Sequence, residues 1–250
     1  MSEGQTNGAT IAFEQVEKGF DGKKILDKVS FTVAEGEALC ILGRSGTGKS
    51  VTLKLMIGLL TADAGKVLVE GDDMAALDEA GLMRVRRKMG YLFQSAALFD
   101  SFNLNQNLCM PLHRLEPNRS PEEVKRAVEQ ALREVGLEKD GNKLPNALSG
   151  GMQKRAGLAR ALVLQPKILL VDEPASGLDR ITASEIDDLL IKVKTERHTT
   201  MVIVTHDVHG ARKIADKFAV LDKGRVLAFG TPAELDKSHD NLLQQFIAER

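Results

Sequence analysis

Two cysteines, Cys40 and Cys109, are all that 250 residues contain. They fit thiols kept reduced in a cytoplasm better than a disulfide framework, and Cys40, set in an apolar run, reads as a buried filler. Long hydrophobic runs are missing: segments such as Lys167-Ile168-Leu169-Leu170-Val171 fall well short of the roughly 18 residues a membrane-spanning helix requires. Any membrane role is therefore expected to be peripheral. Charge of one sign is missing as well. With 34 basic against 35 acidic residues the formal net charge is −1, so no overall attraction to nucleic acid or anionic lipid is expected. The opening Met1–Gly8 has neither a basic start nor an apolar core. This argues against a secretory signal, and residues 1–9 are expected to form a short disordered tail. No internal repeat or low-complexity tract interrupts the chain. Its length suits one large α/β domain, or one such domain carrying a subdomain.

What the chain does have is a glycine-rich loop in an informative place. Gly43-Arg44-Ser45-Gly46-Thr47-Gly48-Lys49-Ser50 follows the apolar run Ala38-Leu39-Cys40-Ile41-Leu42 and precedes Val51-Thr52-Leu53-Lys54-Leu55-Met56. It therefore lies between a buried strand and a helix. Glycines at this spacing let successive backbone N–H groups curl around phosphate oxygens, which also meet the positive end of the following helix. Lys49 would reach the β- and γ-phosphates of a nucleotide and Ser50 a Mg²⁺ ion.

Elsewhere the pattern alternates between strand and helix. Strands are predicted at 10–16, 31–33 and 38–42, and Leu53, Met56, Ile57 and Leu60 form one stripe of the helix after the loop. Residues 61–65 break that helix, and strands follow at 66–70 and 89–93. Ser120-Pro121-Glu122-Glu123 combines an N-cap serine, a proline at the first helical position and a glutamate three residues after the cap. Val124, Ala127, Val128, Ala131, Leu132 and Val135 give that helix its apolar face, and Gly136 ends it. A strand at 168–171, an acidic amphipathic helix from about 184 to 193, and strands at 201–204, 218–221 and 225–229 complete the reading. The simplest architecture is an α/β nucleotide-binding core interrupted between about residues 95 and 165 by a helical subdomain.

Two more segments carry chemistry. Strand 168–171 runs into Asp172-Glu173-Pro174, and adjacent carboxylates at a strand's C-terminal end suit metal-dependent phosphoryl transfer. Asp172 can hold Mg²⁺ through its water shell while Glu173 orients or deprotonates the water attacking the γ-phosphate. Leu148-Ser149-Gly150-Gly151-Met152-Gln153-Lys154-Arg155 opens the helix expected from Ala156 to Leu164, a second cradle of backbone N–H groups at a helix N-terminus. Followed by Asp172-Glu173 and then Ser176-Gly177-Leu178-Asp179, this order resembles the ATPase subunit of ATP-binding-cassette (ABC) transporters over essentially the whole chain.

The resemblance implies a P-loop NTPase of the ABC ATPase type, with a RecA-like core, an antiparallel β subdomain and an inserted α-helical subdomain. The ATPase domain would span 10–235, with the helical subdomain at about 95–165 and a short C-terminal helix in 236–250. ATP and Mg²⁺ are implied as cofactors. Gly43, Arg44, Ser45, Gly46, Thr47, Gly48, Lys49, Ser50 and Val51 would hold the nucleotide, with Phe20 stacking on adenine in a place where tyrosine is frequent. Ser50, Gln94 and Asp172 would hold the metal, and Glu173, His206, Gln94 and Lys49 would carry catalysis. Ser149, Gly150 and Gly151 would close on ATP bound by a second copy of the chain, with Asp179 at the dimer seam, so two chains would make two sites. His113, His198, His209 and His239 are assigned no such task.

Met152, where glutamine is usual, the run Lys154-Arg155-Ala156-Gly157-Leu158-Ala159-Arg160, and Phe93-Gln94-Ser95-Ala96-Ala97-Leu98-Phe99-Asp100-Ser101 resemble the Mla and Mce type of phospholipid transporter. That subfamily implies an inner-membrane permease and a periplasmic MCE-type lipid-binding subunit as further partners, with this chain at the cytoplasmic face of the inner membrane and no nucleic-acid partner. Phe99, Phe102 and Leu104 would line a groove receiving a permease helix. Arg180, where proline is frequent, and Asn103-Leu104-Asn105 mark a divergent member. The basic cluster Arg84-Val85-Arg86-Arg87-Lys88 reads as a solvated helix end. The alternatives are an ABC ATPase serving a different cargo, a soluble ABC protein of DNA maintenance or translation, and a P-loop kinase or GTPase. The single motif set and absent heptad array disfavour the second. The Ser149–Gly151 segment disfavours a kinase, and no Asn-Lys-x-Asp segment reads guanine.

Overall fold

A computed structural model of the chain describes residues 8–248. Of the tail expected over 1–9, residues 1–7 lie outside the described residues, Gly8 forms a turn, and Ala9 already belongs to the first strand. In chain order the first elements are β1 (Ala9–Phe20), β2 (Lys23–Ala34), β3 (Ala38–Leu42), α1 (Lys49–Met56), β4 (Ala64–Val69), β5 (Asp72–Asp73), α2 (Glu79–Arg86) and β6 (Met89–Leu92). A helical stretch of α3 (Leu104–Leu115), α4 (Pro121–Glu134) and α5 (Gly150–Leu162) follows, with one short 3₁₀ turn at Pro145–Ala147. The chain then runs through β7 (Ile168–Asp172), α6 (Arg180–Arg197), β8 (Thr200–Thr205), α7 (Val208–Ile214), β9 (Lys217–Asp222), β10 (Arg225–Gly230), α8 (Pro232–Asp236) and α9 (Asn241–Ala248).

Two sheets result. The antiparallel one has the order β2-β1-β4-β5, and the larger one β10-β9-β3-β8-β7-β6, in which only the β10–β9 pair is antiparallel. β1 and β2 run longer than their apolar segments predict because Asp21 and Gly22, at φ of 48° and 76°, close a tight two-residue hairpin between them. Every residue of β3, β7 and β8 is buried, as expected of parallel strands covered on both faces. Alternation divides the core in two. Leu39, Ile41, Leu170 and Val202 face α1 and the antiparallel sheet, whereas Cys40, Leu42, Leu169 and Ile203 pack with α3–α6. Cys40 is fully enclosed, and burial pushes its thiol pKa well up.

Several local expectations need correction. The first helix stops at Met56, so Ile57 is its C-cap and Leu60 lies beyond it. The guanidinium of Arg86 donates to the Ile57 and Gly58 carbonyls at 2.9 Å each, closing the helix end earlier than the apolar stripe suggests. Within the basic cluster Arg86 is turned inward in this way, while the exposed Arg84 and the half-buried Lys88 pair at the surface with Asp72 and Glu70. Leu104 is completely buried and cannot line an external groove. α6 begins at Arg180 instead of near 184, because the Asp179 carboxylate accepts from the Ile181 and Thr182 N–H groups at 3.0 Å. At the C-terminal end α8 starts at Pro232, ahead of the single helix expected from 236, and α9 follows a break.

Gly90 on β6 packs directly against α5. A Cβ there would lie 2.3 Å from the Ala161 carbonyl oxygen and 3.0 Å from Leu169 Cδ1. Gly90→Ala is therefore expected to destabilise the chain by roughly 1–3 kcal/mol, read as a lower urea midpoint with an unchanged slope.

Candidate nucleotide site

β3, β8 and β7 are neighbours and parallel, so their C-terminal ends emerge side by side. The loop 43–48 leaves β3, His206 follows β8, and Glu173 follows β7. A cleft of about 610 Å³ opens there, walled by Arg44, Ser45, Gly46, Gly48, Lys49, Ser50 and Val51, with Gln94, Glu173 and His206 opposite and Phe20 and Ile25 at the side. Of the residues predicted for one chain's nucleotide site, only Gly43, Thr47 and Asp172 stand behind this wall. The Gly43 carbonyl accepts from Lys49 Nζ at 2.8 Å, Thr47 Oγ1 donates to the Arg44 carbonyl at 2.9 Å, and Asp172 accepts from Ser50.

The loop's conformation depends on glycine. Gly48 has φ of 101°, and a Cβ on it would come within 2.6 Å of Leu26 Cδ2, a position that excludes an unstrained side chain. Gly48 is also the N-cap of α1, and it supplies no side-chain cap. Helices α2 to α8 are each capped by Asp, Asn, Ser or Thr. The first-turn N–H groups of α1 are thus left for an anion, with the helix dipole behind them. Lys49, almost fully buried, adds a cation held by the Gly43 and Arg44 carbonyls at 2.8 and 3.2 Å.

Two oxygen-bearing side chains lie together beside the start of α1. Ser50 Oγ donates to Asp172 Oδ1 at 2.9 Å, and Tyr91 Oη approaches Asp172 Oδ2 at 3.5 Å. Burial raises the Asp172 carboxyl pKa, against the lowering effect of the Ser50 bond; burial beside Asp172 likewise raises that of the Tyr91 hydroxyl. A hydroxyl and a carboxylate with Gln94 nearby form a hard-oxygen set that fits Mg²⁺.

Glu173 has φ of 47°, uncommon for a residue with a side chain. Its N–H donates to the Val204 carbonyl at 2.9 Å, which holds the backbone in place. The carboxylate reaches His206 Nδ1 at 2.8 Å through one oxygen and Lys49 Nζ at 3.4 Å through the other. Phe20 is exposed at the rim, with Lys18 Nζ 5.4 Å from its ring centroid. The Arg44 guanidinium lies 5.5 Å from the ring of Phe246 on α9.

Ser149, Gly150, Gly151 and Asp179 do not line this cleft. Ser149 caps α5, and Asp179 caps α6 while also accepting from Thr182 Oγ1 at 2.7 Å. Four contributors are not apparent from sequence motifs. Ile25 lines the cleft, and Tyr91 faces Asp172. Lys154 is buried, with its pKa lowered by desolvation. A cation on the buried stripe of Gly151, Lys154 and Leu158 is the available signal for it. Asn107 is fully buried and holds the Phe99 and Phe102 carbonyls at 3.1 and 2.8 Å, shaping the loop after Gln94. On that loop Phe99 is exposed and Phe102 half-buried, with ring centroids 5.8 Å apart.

The family model described as ABC transporter matches residues 26–176. The probable ribonucleotide transport ATP-binding protein mkl of Mycobacterium tuberculosis is 39% identical over 249 residues, covering 100% of this chain and 69% of that protein. The methionine import ATP-binding protein MetN of Caulobacter vibrioides is 41% identical over 227 residues, covering 90% of this chain and 68% of that protein. Among solved structures, a dimeric ATP-binding cassette in a post-hydrolysis state bound to ADP and Pi superposes with a TM-score of 0.81 at 32% identity. The match covers 88% of this chain and 98% of the cassette.

The strain that Gly48 avoids supplies a test. Gly48→Ala is expected to weaken ATP binding by about tenfold, or about 1.4 kcal/mol, in an equilibrium titration, with an unfolding scan confirming that the variant is folded.

Proposed function

The chain belongs to the ABC transporter family and is an ATPase using ATP with Mg²⁺, and on that premise we propose that it works as a homodimer powering a membrane permease. The observation that carries this reading is the Glu173 carboxylate, lying between His206 at 2.8 Å and Lys49 at 3.4 Å beside the Ser50–Asp172 pair. In the proposed site the α1 N-terminus and Lys49 neutralise the phosphate tail, and Phe20 packs against the base. Mg²⁺, held by Ser50, Asp172 and Gln94, would supply charge stabilisation at the phosphates. Glu173 accepts a proton from the attacking water, and His206 holds its carboxylate in line.

The rest of the assembly extends this proposal. Ser149, Gly150 and Gly151 seal the nucleotide of the second copy with the Gly150 and Gly151 N–H groups, the Met152 N–H donating to the Ser149 hydroxyl, and Asp179 lies at the seam. Ile181, 76% exposed beside it, supports a partner surface there. Among the described residues no helix is long and apolar enough to cross a membrane, so the chain reaches the inner membrane through the permease. Phe99 and Phe102 form the aromatic contact for a permease helix. For the cargo we propose phospholipid, moved together with a periplasmic MCE-type subunit. This rests on the likeness of Met152–Arg160 and Phe93–Ser101 to that subfamily; the relatives named above are described by other cargoes.

Glu173→Gln is expected to lower ATP turnover by about 10²–10⁴ while nucleotide is retained, and to trap an ATP-bound dimer in size-exclusion chromatography. Lys49→Ala should instead weaken nucleotide binding itself. Parental turnover in the Glu173 variant would remove it as the water-activating base. Phe102→Asp should leave basal hydrolysis intact while uncoupling it from transport in vesicles; unchanged transport in a fully assembled complex refutes the aromatic contact. Purification from detergent extract should bring down a polytopic membrane protein with bound phospholipid, and a bound amino acid or nucleotide in its place would overturn the cargo assignment.

A further inference from the structure

Helical spacing puts Lys154 on the same buried face of α5 as Gly151 and Leu158. A lysine there must find partners for its ammonium, since an unpaired buried charge is strongly unfavourable. It finds three, on two segments. Nζ donates to the Gln94 carbonyl, to the Glu173 carbonyl at 3.0 Å and to Ser176 Oγ at 3.2 Å. The first segment follows β6 and the second runs from β7 to α6, and the Lys154 ammonium joins both to α5.

The remainder of α5 grips the first of those segments more tightly. Arg160 donates to the Ala97 and Ala96 carbonyls at 2.6 and 2.9 Å, and a Cβ at Gly157 would lie only 3.0 Å from Ala96 Cβ. Ala96 and Ala97 have φ of 60° and 49°, as Glu173 has 47°. Backbone in this region persists for such residues only where its surroundings over-determine it. A carbonyl anchored by an ammonium is one such constraint, and at Glu173 it acts one bond from the Cα that aims the carboxylate.

We propose that Lys154 is a positioning residue that fixes the backbone of Glu173 to α5, so that contact of a second copy with the Ser149–Gly151 end of that helix sets the aim of the Glu173 carboxylate. The proposal rests on the reading of Glu173 and of the two-copy site given above. Its chemistry is local: a shift of α5 moves the Lys154 ammonium, which moves the Glu173 and Gln94 carbonyls together. Both walls of the cleft facing the phosphate loop are then adjusted by one element.

The test uses the full-length chain. Lys154→Met keeps an unbranched side chain as far as Cε and removes the ammonium. It is expected to lower kcat tenfold to a hundredfold while the affinity for ATP, titrated directly, stays within about twofold. Lys154→Arg should recover most of the lost kcat, because a guanidinium can donate to the same carbonyls. A residue serving only packing would show the reverse: parental kcat in the folded Met variant, or equal losses in the Met and Arg variants, overturns the proposal. Should the Met variant not fold, Lys154→Leu decides, a lowered kcat with retained ATP affinity supporting the proposal and a parental kcat refuting it. Glu173→Gln run in parallel separates the two levels. If it remains active, the reading of Glu173 itself fails; if it is inactive while Lys154→Met is fully active, only the present inference fails.

Discussion

Three parallel strands ending at one edge are the constraint on which the rest of this structure depends. Because β3, β8 and β7 are adjacent, the phosphate loop, His206 and Asp172-Glu173 arrive at a common cleft from distant parts of the chain. Parallel pairing requires crossovers that cover both faces, and burial of every residue in these strands follows. The cost falls at the edge, where each strand must stop without a regular continuation. Gly48 and Glu173 both take left-handed backbone there.

The edge also concentrates charge in a small volume. Lys49, Glu173 and His206 form a chain of contacts at 3.4 and 2.8 Å, while burial raises the Asp172 carboxyl pKa against the opposing bond from Ser50. Each group faces at least one partner of complementary character. The first turn of α1, by contrast, has donors without a side-chain cap, unlike the capped helices α2 to α8, and this suits the loop to receive an anion.

Much of this is legible in the sequence because the informative signals are local. A glycine-rich loop between an apolar run and a helix, or two carboxylates ending a strand, can be read without tertiary contacts. What is not legible depends on residues far apart. The early end of α1 is made by Arg86, 29 residues beyond Ile57, and no helix-stop rule within the segment could reveal it. Leu104 reads as a surface apolar residue after a loop, yet it is fully buried in the packing of the helical insert. Lys154 reads as one more charge in a basic run, because its three acceptors are 60, 19 and 22 residues away. The start of α6 differs in kind. Its signal is local, an aspartate ahead of a helix, but the Ser-Gly-Leu-Asp segment draws attention to Asp179 as a seam residue and away from its capping of the next helix.

The approach of Arg44 to Phe246 ties the phosphate loop to the last helix of the chain. Fusions, affinity handles or truncations near α9 therefore abut the residues proposed to receive the nucleotide. The start of β1, at Ala9 on the separate antiparallel sheet, is the more neutral place for an engineered appendage.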